Sequence, residues 1–513
     1  MTTTTTARPT SARTAFARTR HSPTEQGKDV ISLDDKGKLC AFQLKGGDID
    51  IPRWRREVKP EVDALVENIV EHPAVTSGFA VPFLVTNGRL SEPVVAQVTN
   101  LNRSNKRRRL KELRIVVGTD LVSRFVTAHG RFFPREPEDF EAFLRLFLAD
   151  GRDMLPKSRL ARFLQAQLDP GQVKRKTDAA RAIASTIILA GYALSAYHRK
   201  DNHFALFEGW VLVAAHVARL AETRNLAAKS WQPSFQLALG AAWLAMTNLV
   251  SETLSGRELA EGIVMMDGGP PYRARLTILI GMATAFALCQ RDDARQPKQE
   301  DSLKRFVDEY QRNMLLWGES AIPFFVCLAL WHEQCARSIP AEGVVHMLIE
   351  AITNLNNPRS GGGFPNPYYG PNRCVTAMCQ IGKNPMQRDC PLGASYSLEA
   401  LIDFLVRRLR KQTLKLLWRG VTRIQLCEME YEGPTDFYLW RTYDGQLRQQ
   451  YVKRPQPWSE LANQANADLT NGLPATLCAN REFAIMIMLV YPHRFCRSLL
   501  KSIEDGLANR ATC

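Results

Sequence analysis

A change of pattern near Glu138 divides the chain into two kinds of sequence. Before it, short runs rich in β-branched residues alternate with amphipathic helical segments, which is typical of an α/β domain built around a central sheet. After it, helical segments joined by short polar connections follow one another as far as Leu355. This second pattern favours antiparallel helices packed in an irregular array. We therefore predict an α/β N-terminal domain, followed by a large, mainly α-helical domain with a small C-terminal β-hairpin.

The net positive charge of the chain favours anionic partners. The chain has 67 Lys and Arg residues against 52 Asp and Glu residues, which gives a formal charge of +15. A basic surface concentrates nucleic acids or anionic membranes around itself. The 11 cysteines form no dense framework, which indicates a reducing compartment, and we predict a cytoplasmic protein.

The apolar segments and the N-terminus bear on membrane association and targeting. Residues 1–24 contain no acidic residue and are rich in Thr and Arg, a composition shared by transit peptides and disordered basic tails. The lack of a long apolar face favours a tail over residues 1–22. The apolar segments 182–197 and 235–250 are shorter than the roughly 20 residues that a bilayer span needs, so we expect buried helices and no membrane.

A predicted hairpin near the N-terminus carries the residues most suited to chemistry. Its strands would be residues 28–33 and 39–45, joined by a reverse turn over Asp34-Asp35-Lys36-Gly37. Because side chains alternate along a strand, Gln43 and Lys45 point to one side, and Asp29 can lie on that side across the hairpin. A carboxylate, an amide oxygen and an ammonium group around one point suit a divalent cation and a phosphodiester. The alternative is a solvated hairpin face.

Further strands and helices would give this hairpin a sheet to join. Gly46-Gly47-Asp48 is predicted to be a flexible exit, and Pro60 to open a helix that His72-Pro73 ends. A buried strand over 80–86 then runs into an Asn87-Gly88 turn. A helix capped by Ser91 and a strand over 113–117 complete the pattern.

The order of these elements and their residues resemble the PD-(D/E)XK nuclease superfamily, in particular its Mrr-type restriction-endonuclease branch. In that family an Asp on one strand is followed, about one hairpin later, by Glu or Gln, any residue, and Lys. Asp29 and Gln43-Leu44-Lys45 match these positions, and residues 84–88, LVTNG, look like a strand and turn found in Mrr-like proteins. The resemblance covers about residues 20–130. The family usually has an acidic residue on a helix before the Asp strand, and Glu25 is the candidate here.

The resemblance implies a restriction-endonuclease-like fold and a Mg²⁺-dependent endodeoxyribonuclease. Mg²⁺, for which Mn²⁺ can substitute, would be held by the Asp29 carboxylate, the side-chain oxygen of Gln43 and the backbone carbonyl of Leu44. Lys45 would orient or deprotonate the attacking water. No nucleotide or organic cofactor is expected. The implied setting is prokaryotic restriction or antiphage defence, with DNA as substrate and a second copy or a defence protein as further partners.

Two basic clusters are candidates for contacts with DNA phosphates. The first is Arg53, Arg55 and Arg56, and the second is the run that includes Arg107, Arg108 and Arg109. For the second cluster, a solvated charged face is an equal alternative. Trp54 is expected to pack against the sheet, although stacking on a base is a further possibility.

The composition of the chain also predicts the boundaries between its domains. We predict a tail over 1–22, a nuclease domain over 23–135, a helical domain over 136–355, a Pro/Gly-rich loop over 356–395 and a C-terminal region over 396–513. Within the last region, 397–418 would be one basic amphipathic helix and 437–452 a hairpin turning at Asp444-Gly445. Whether Cys374, Cys379 and Cys390 bind zinc stays open. The second functional hypothesis is a non-catalytic nucleic-acid-binding or scaffold protein with a degenerate nuclease domain.

Overall fold

The computed structural model divides into two compact units, residues 1–131 and 132–513. The residues that it describes are 14–18, 29–34, 37–72, 75–121, 123, 137–171, 173, 175–256, 269–290, 297–336, 341–356, 363–379, 393–441, 446–467 and 472–508. The broad layout predicted from the sequence is confirmed: an α/β unit precedes a mainly helical unit that has a small sheet near its C-terminal end.

A five-stranded mixed sheet forms the centre of the first unit. Its strands, in spatial order, are β1 (Thr14–Arg18), β2 (Val30–Leu33), β3 (Leu39–Lys45), β6 (Val81–Thr86) and β7 (Arg114–Val116). The first three are antiparallel neighbours, whereas β3, β6 and β7 run parallel. Two short strands, β4 (Val70–His72) and β5 (Val75–Gly78), pair separately. Parallel strands need crossover connections, which two helices provide here.

The first crossover is helix α1, which runs over residues 51–67 with a π-helical stretch at Trp54–Val58. The second crossover is α2 (Glu92–Arg107). Helix α1 buries Trp54, Val58 and Val62 against one face of the sheet, where Ala41 and Leu84 lie. The other face carries a second apolar cluster, which contains Cys40, Phe42, Val81, Phe83, Val85 and Val116. The sheet is therefore apolar on both faces, as expected for parallel strands.

Two predictions for this unit are wrong. The helix after Pro60 ends at Glu67 rather than at His72, because Asn68 is already extended and residues 70–72 form β4. Residues Thr14–Arg18, assigned to a disordered tail, form an edge strand beside β2.

The turn after β3 is held firmly against the turn after β6, so Gly46-Gly47-Asp48 is not the flexible exit that the sequence predicted. The Thr86 hydroxyl donates to the Gly47 carbonyl at 2.6 Å, and the Gly47 N–H donates to Asn87 Oδ1 at 2.5 Å. The Arg89 N–H donates to Asp48 Oδ1 at 2.8 Å. These bonds fix the ends of two neighbouring parallel strands relative to each other.

Replacing Gly88 by alanine is expected to lower the free energy of unfolding of the first unit by about 2 kcal/mol or more. A Cβ atom at this position would lie 2.2 Å from the Gly47 backbone carbon, so the two turns would have to separate. Chemical denaturation of the full chain measures the change. Gly78→Ala is the matched control, since a Cβ there meets nothing within 4 Å. Equal losses in both variants would contradict the close packing.

The second unit has one continuous apolar core that extends from Phe143 to Leu507. The predicted segments 136–355 and 396–513 therefore share one core. Among the described residues of this unit, the helices of eight or more residues are α3 (Pro137–Phe147), α4 (Lys157–Gln167), α5 (Lys176–Ala193), α6 (His203–Thr223), α7 (Ala228–Ser255), α8 (Pro270–Cys289), α9 (Pro297–Tyr310), α10 (Ile322–Trp331), α11 (Ala341–Leu355), α12 (Pro371–Cys379), α13 (Leu398–Arg407), α14 (Lys411–Val421), α15 (Trp458–Asn466), α16 (Arg481–Val490) and α17 (Arg497–Ala508).

The predicted single basic helix over 397–418 is wrong. It is two helices, α13 and α14, separated where Leu409 takes a left-handed backbone conformation with φ of 58°. Helix α13 is buried, and its last arginine, Arg407, binds Glu504 at 2.6 Å. Arg408 pairs with Glu504 and Glu333. These arginines therefore stabilise the helical core rather than extend a basic surface.

The small C-terminal sheet also differs from the predicted hairpin over 437–452. Strand β10 (Gln446–Tyr451) pairs with β9 (Gln425–Glu430), which lies further back in the chain, and β8 (Ala394–Ser395) completes the sheet. Residues Pro434–Tyr438 form a 3₁₀ helix, and the predicted turn at Asp444-Gly445 lies outside the described residues.

The predicted Pro/Gly-rich loop contains helix α12, and residues 357–362 and 380–392 lie outside the described part of the chain. Cys374 is buried and Cys379 is exposed, while Cys390 is not described. Over the described ranges, no three His, Cys, Asp or Glu residues lie together as a metal site would require.

Three apolar helices are long enough to cross a membrane, so the expectation that all apolar segments are too short is wrong. Helices α6, α7 and α8 have 21, 28 and 20 residues, and an apolar window of 18 residues in each has a mean hydropathy of 1.5, 1.2 and 1.3, respectively. The apolar windows of α6 and α8 are 83% and 78% buried within the structure, whereas that of α7 is 39% buried. Helix α7 extends well beyond the apolar segment 235–250 because polar turns continue it at both ends.

Candidate active site

Asp29 directly precedes β2, and Gln43 lies on the neighbouring strand β3. The Asp29 N–H donates to the Phe42 carbonyl at 2.9 Å, and Val30 and Ile31 pair with Phe42 and Ala41. The backbone of Asp29 therefore faces Phe42, which is also the partner of Val30, so the regular pairing of β2 with β3 ends at Val30. Because side chains alternate along β3, Gln43 lies on the face that carries Ala41 and that helix α1 covers.

The Asp29 carboxylate lies at the end of β3. Its Oδ2 accepts a hydrogen bond of 2.6 Å from the Leu44 N–H. In an antiparallel ladder, the N–H and C=O of one residue point toward the same neighbouring strand. The Leu44 carbonyl therefore points to the side of β3 on which Asp29 lies, while the Leu44 side chain is 45% exposed.

Gln43 has a buried side-chain oxygen that is not satisfied by a hydrogen bond, which is unusual in a strand. Its side chain is 3% exposed, and its Oε1 has no hydrogen-bond partner among the residues that the structure describes. An unsatisfied buried amide oxygen costs roughly 1–3 kcal/mol, so such atoms need a structural or functional reason. A bound cation or a bound water would satisfy this oxygen.

Lys45 lies two residues further along the same face and is held by helix α1. Its Nζ lies 2.5 Å from Glu61 Oε2, and the two side chains are 17% and 38% exposed. Glu61 is not among the site residues predicted from the sequence. Its position in the sequence could have indicated it, because it lies at the start of the helix after Pro60, one residue before the buried Val62. Glu25, the acidic residue proposed from the resemblance, lies outside the described residues.

The donor set fits a hard divalent cation that keeps most of its water. Asp29 offers a carboxylate, Gln43 an amide oxygen and Leu44 a backbone carbonyl, all of them oxygen ligands that Mg²⁺ accepts. Glu61 is engaged by Lys45. The site therefore carries one available carboxylate, and its affinity for Mg²⁺ should be lower than that of a site with two.

The predicted DNA-contacting arginines have different surroundings. Arg53 donates from Nη1 to the carbonyls of Gly46 and Asp48 at 2.7 and 2.9 Å, so its guanidinium supports the turn after β3. Arg55 and Arg56 are exposed on the same helix. Trp54 is 1% exposed, which confirms that it packs in the core and does not stack on a base.

The second basic cluster lies at the end of α2. Arg107 and Arg109 are exposed, whereas Arg108 pairs with Glu67 at 2.7 Å and so links the ends of α2 and α1. Arg109 ends the helix with a left-handed φ of 59°. Arg107 and Arg109 therefore have more freedom to reach a phosphate than Arg108.

Comparison with known proteins identifies no relative: no family model matches the chain, and no curated protein or solved structure is significantly similar to it.

Proposed function

We propose that the first unit is a metal-dependent endonuclease that hydrolyses phosphodiester bonds in DNA. The observation that carries this proposal is the hydrogen bond of 2.6 Å from the Leu44 N–H to the Asp29 carboxylate, which holds that carboxylate beside the end of β3 that carries Gln43 and Lys45. Oxygen ligands beside a cationic side chain are what phosphodiester hydrolysis needs, because charge at the phosphate must be neutralised and a water activated.

Each residue has a separate task in this proposal. Bound Mg²⁺ or Mn²⁺ would supply charge neutralisation and lower the pKa of water. Asp29 and Gln43 would hold the cation at the end of β3, and the Leu44 N–H orients the Asp29 carboxylate. Lys45 positions the attacking water or takes its proton. Glu61 holds the Lys45 ammonium near the site until substrate competes for it.

The wider setting is also part of the proposal and rests on the resemblance to Mrr-type nucleases. It comprises DNA as substrate, a cytoplasmic role in prokaryotic restriction or antiphage defence, and a second copy or another defence protein as partner. The exposed Arg55, Arg56, Arg107 and Arg109 supply cations for phosphate contacts. The helical unit would regulate, recognise or oligomerise.

The second candidate is a non-catalytic DNA-binding protein with a degenerate site. It is favoured by the single available carboxylate and by the ion pair between Lys45 and Glu61. The single carboxylate would weaken metal binding, and the ion pair would keep Lys45 from acting on the attacking water. The two functions separate by whether DNA is cut or only bound.

Metal removal tests the proposed function. The purified full chain is incubated with supercoiled plasmid in Mg²⁺, in Mn²⁺ and in EDTA, and nicking is followed on agarose gels. We expect nicked and linear DNA with either metal and intact plasmid in EDTA. Plasmid that is retarded in a mobility-shift assay yet stays intact in both metals would refute the nuclease and support the second candidate.

Replacing Gln43 by glutamate is expected to lower the Mn²⁺ concentration that gives half-maximal nicking by about tenfold. A second carboxylate adds a negative ligand, and metal affinity rises with ligand charge. Nicking rates are measured over a Mn²⁺ titration. Gln97→Glu on helix α2 is the control for the added charge. An unchanged midpoint in Gln43→Glu would show that this oxygen does not bind the metal.

A further inference from the structure

A cationic pocket of about 850 Å³ lies in the second unit, between helix α14 and the segment that leads into α15. Six of its lining residues come from α14 and the residue after it: Lys411, Leu414, Lys415, Trp418, Arg419 and Thr422. They recur at intervals of three and four residues, which places them on one face of the helix. The volume falls within the range of small-molecule sites.

The charge of the pocket has one sign. Its charged lining residues are Lys411, Lys415, Arg419 and Arg454, all exposed, and no described Asp or Glu residue lines it. In the described part of the chain, no acidic side chain forms an ion pair with the three cations on α14, whereas the preceding Arg410 binds Glu342 at 3.0 Å. An uncompensated group of cations favours an anionic ligand.

Two tryptophans are among the lining residues of the pocket. Trp418 from α14 and Trp458 from the start of α15 are both half-buried, and the buried Leu414 and Leu461 lie beside them. Indole rings offer broad apolar faces on which a planar ring can stack. The anion that suits this pocket therefore carries a flat ring as well as negative charge.

Two polar groups at the pocket restrict how a ligand can be oriented in it. Arg454 Nη2 donates to the Thr422 carbonyl at 2.6 Å, which fixes one cation at the end of α14. Gln456 donates from Nε2 to Gln464 at 3.2 Å, which leaves its Oε1 buried without a partner among the described residues. That oxygen can accept a hydrogen bond from an amino group on a bound ring.

We infer that this pocket binds a nucleoside phosphate. The base would stack between or against the two tryptophans, and the phosphate would contact Lys411, Lys415 and Arg419 on α14. The same chemistry is present in a free nucleotide and in a nucleic-acid strand. An anionic lipid surface would also meet the cations, and Leu416 beside them is 78% exposed. The two half-buried tryptophans favour a discrete planar ligand.

Calorimetric titration of the full chain tests this inference. The ligands are AMP and ADP, then adenosine and ribose 5-phosphate as the separate halves, and an eight-residue oligothymidylate as the strand. We expect AMP or ADP to bind at least about tenfold more tightly than either half, because stacking and phosphate contacts both contribute. Tighter binding of the oligonucleotide than of AMP identifies a strand as the source, and the reverse identifies a free nucleotide.

Variants locate the binding. Lys415→Gln removes an exposed cation and Trp458→Leu removes a stacking face, and each is expected to weaken binding by roughly tenfold. In the oligonucleotide titration, Lys415→Gln should also lower the dependence of log K on log salt by about 1. Arg423→Gln, which is exposed but does not line the pocket, is the matched control and should bind as the wild type does.

Three outcomes would overturn the inference. They are a lack of nucleotide and oligonucleotide binding, equal binding by wild type and Lys415→Gln, and association only with vesicles of phosphatidylcholine and phosphatidylglycerol. Thermal unfolding of each variant, compared with the wild type, separates loss of the pocket from loss of the fold.

Discussion

Replacing Lys45 by methionine is expected to lower the rate of DNA nicking at saturating metal by at least about a hundredfold. Methionine keeps the apolar stem of the side chain and removes the ammonium that would orient or deprotonate water. Replacing Asp29 by asparagine should instead raise the metal concentration required, because it removes the one available carboxylate. The two variants thus fail in different ways, and metal titrations of the initial nicking rate distinguish them.

Lys38→Met and Asp63→Asn are the matched controls for this pair. Lys38 is exposed at the other end of the same hairpin, and Asp63 pairs with Lys59 on helix α1. Both controls should cut DNA at nearly the wild-type rate. Nicking by Lys45→Met at the wild-type rate, with unchanged metal dependence, would remove Lys45 from the mechanism.

Replacing Glu319 by glutamine is expected to remove a large pH dependence from the stability of the second unit. Glu319 is fully buried, and its Oε2 accepts hydrogen bonds from the Tyr396 N–H, the Ser397 N–H and the Ser397 hydroxyl at 2.8–2.9 Å. Burial raises its pKa from 4.5 to about 7, and these hydrogen bonds oppose the rise only in part.

The sign of the effect follows from the raised pKa. A carboxyl group with a higher pKa in the folded state stabilises the fold below its unfolded pKa, and this contribution is lost as the pH rises through about 7. Between pH 4.5 and pH 8, wild type should therefore lose about 3 kcal/mol relative to Glu319→Gln.

Urea unfolding of both proteins at several pH values measures this difference. The comparison is between variant and wild type at each pH, so other titrating groups cancel. Glu300→Gln, an exposed substitution on α9, should follow the wild type at every pH. A constant difference between Glu319→Gln and wild type across the range would contradict a titrating Glu319.

Local chemistry was sufficient to predict the elements around the candidate site. Alternation over 39–45 predicted β3 with its observed bounds and the common face of Gln43 and Lys45. The short turn after Leu33 set the register of β2 against β3, since Asp34 accepts from the Lys38 N–H and Gly37 has a φ of 73°. Patterns of this kind are readable because they depend on residues close together in the chain.

Contacts between distant residues decided the rest. The pairing of Lys45 with Glu61, the joined turns at Gly47 and Gly88, and the pairing of β9 with β10 depend on which surfaces meet after folding. The break between α13 and α14 at Leu409 could not be predicted from the sequence either, because a non-glycine residue takes a left-handed conformation only where its surroundings compensate for the strain. The sequence by itself thus determined the hairpin and the order of the α/β elements. Only the tertiary structure placed Glu61 beside Lys45 and assembled the cationic pocket, because burial and charge compensation depend on the complete set of neighbours.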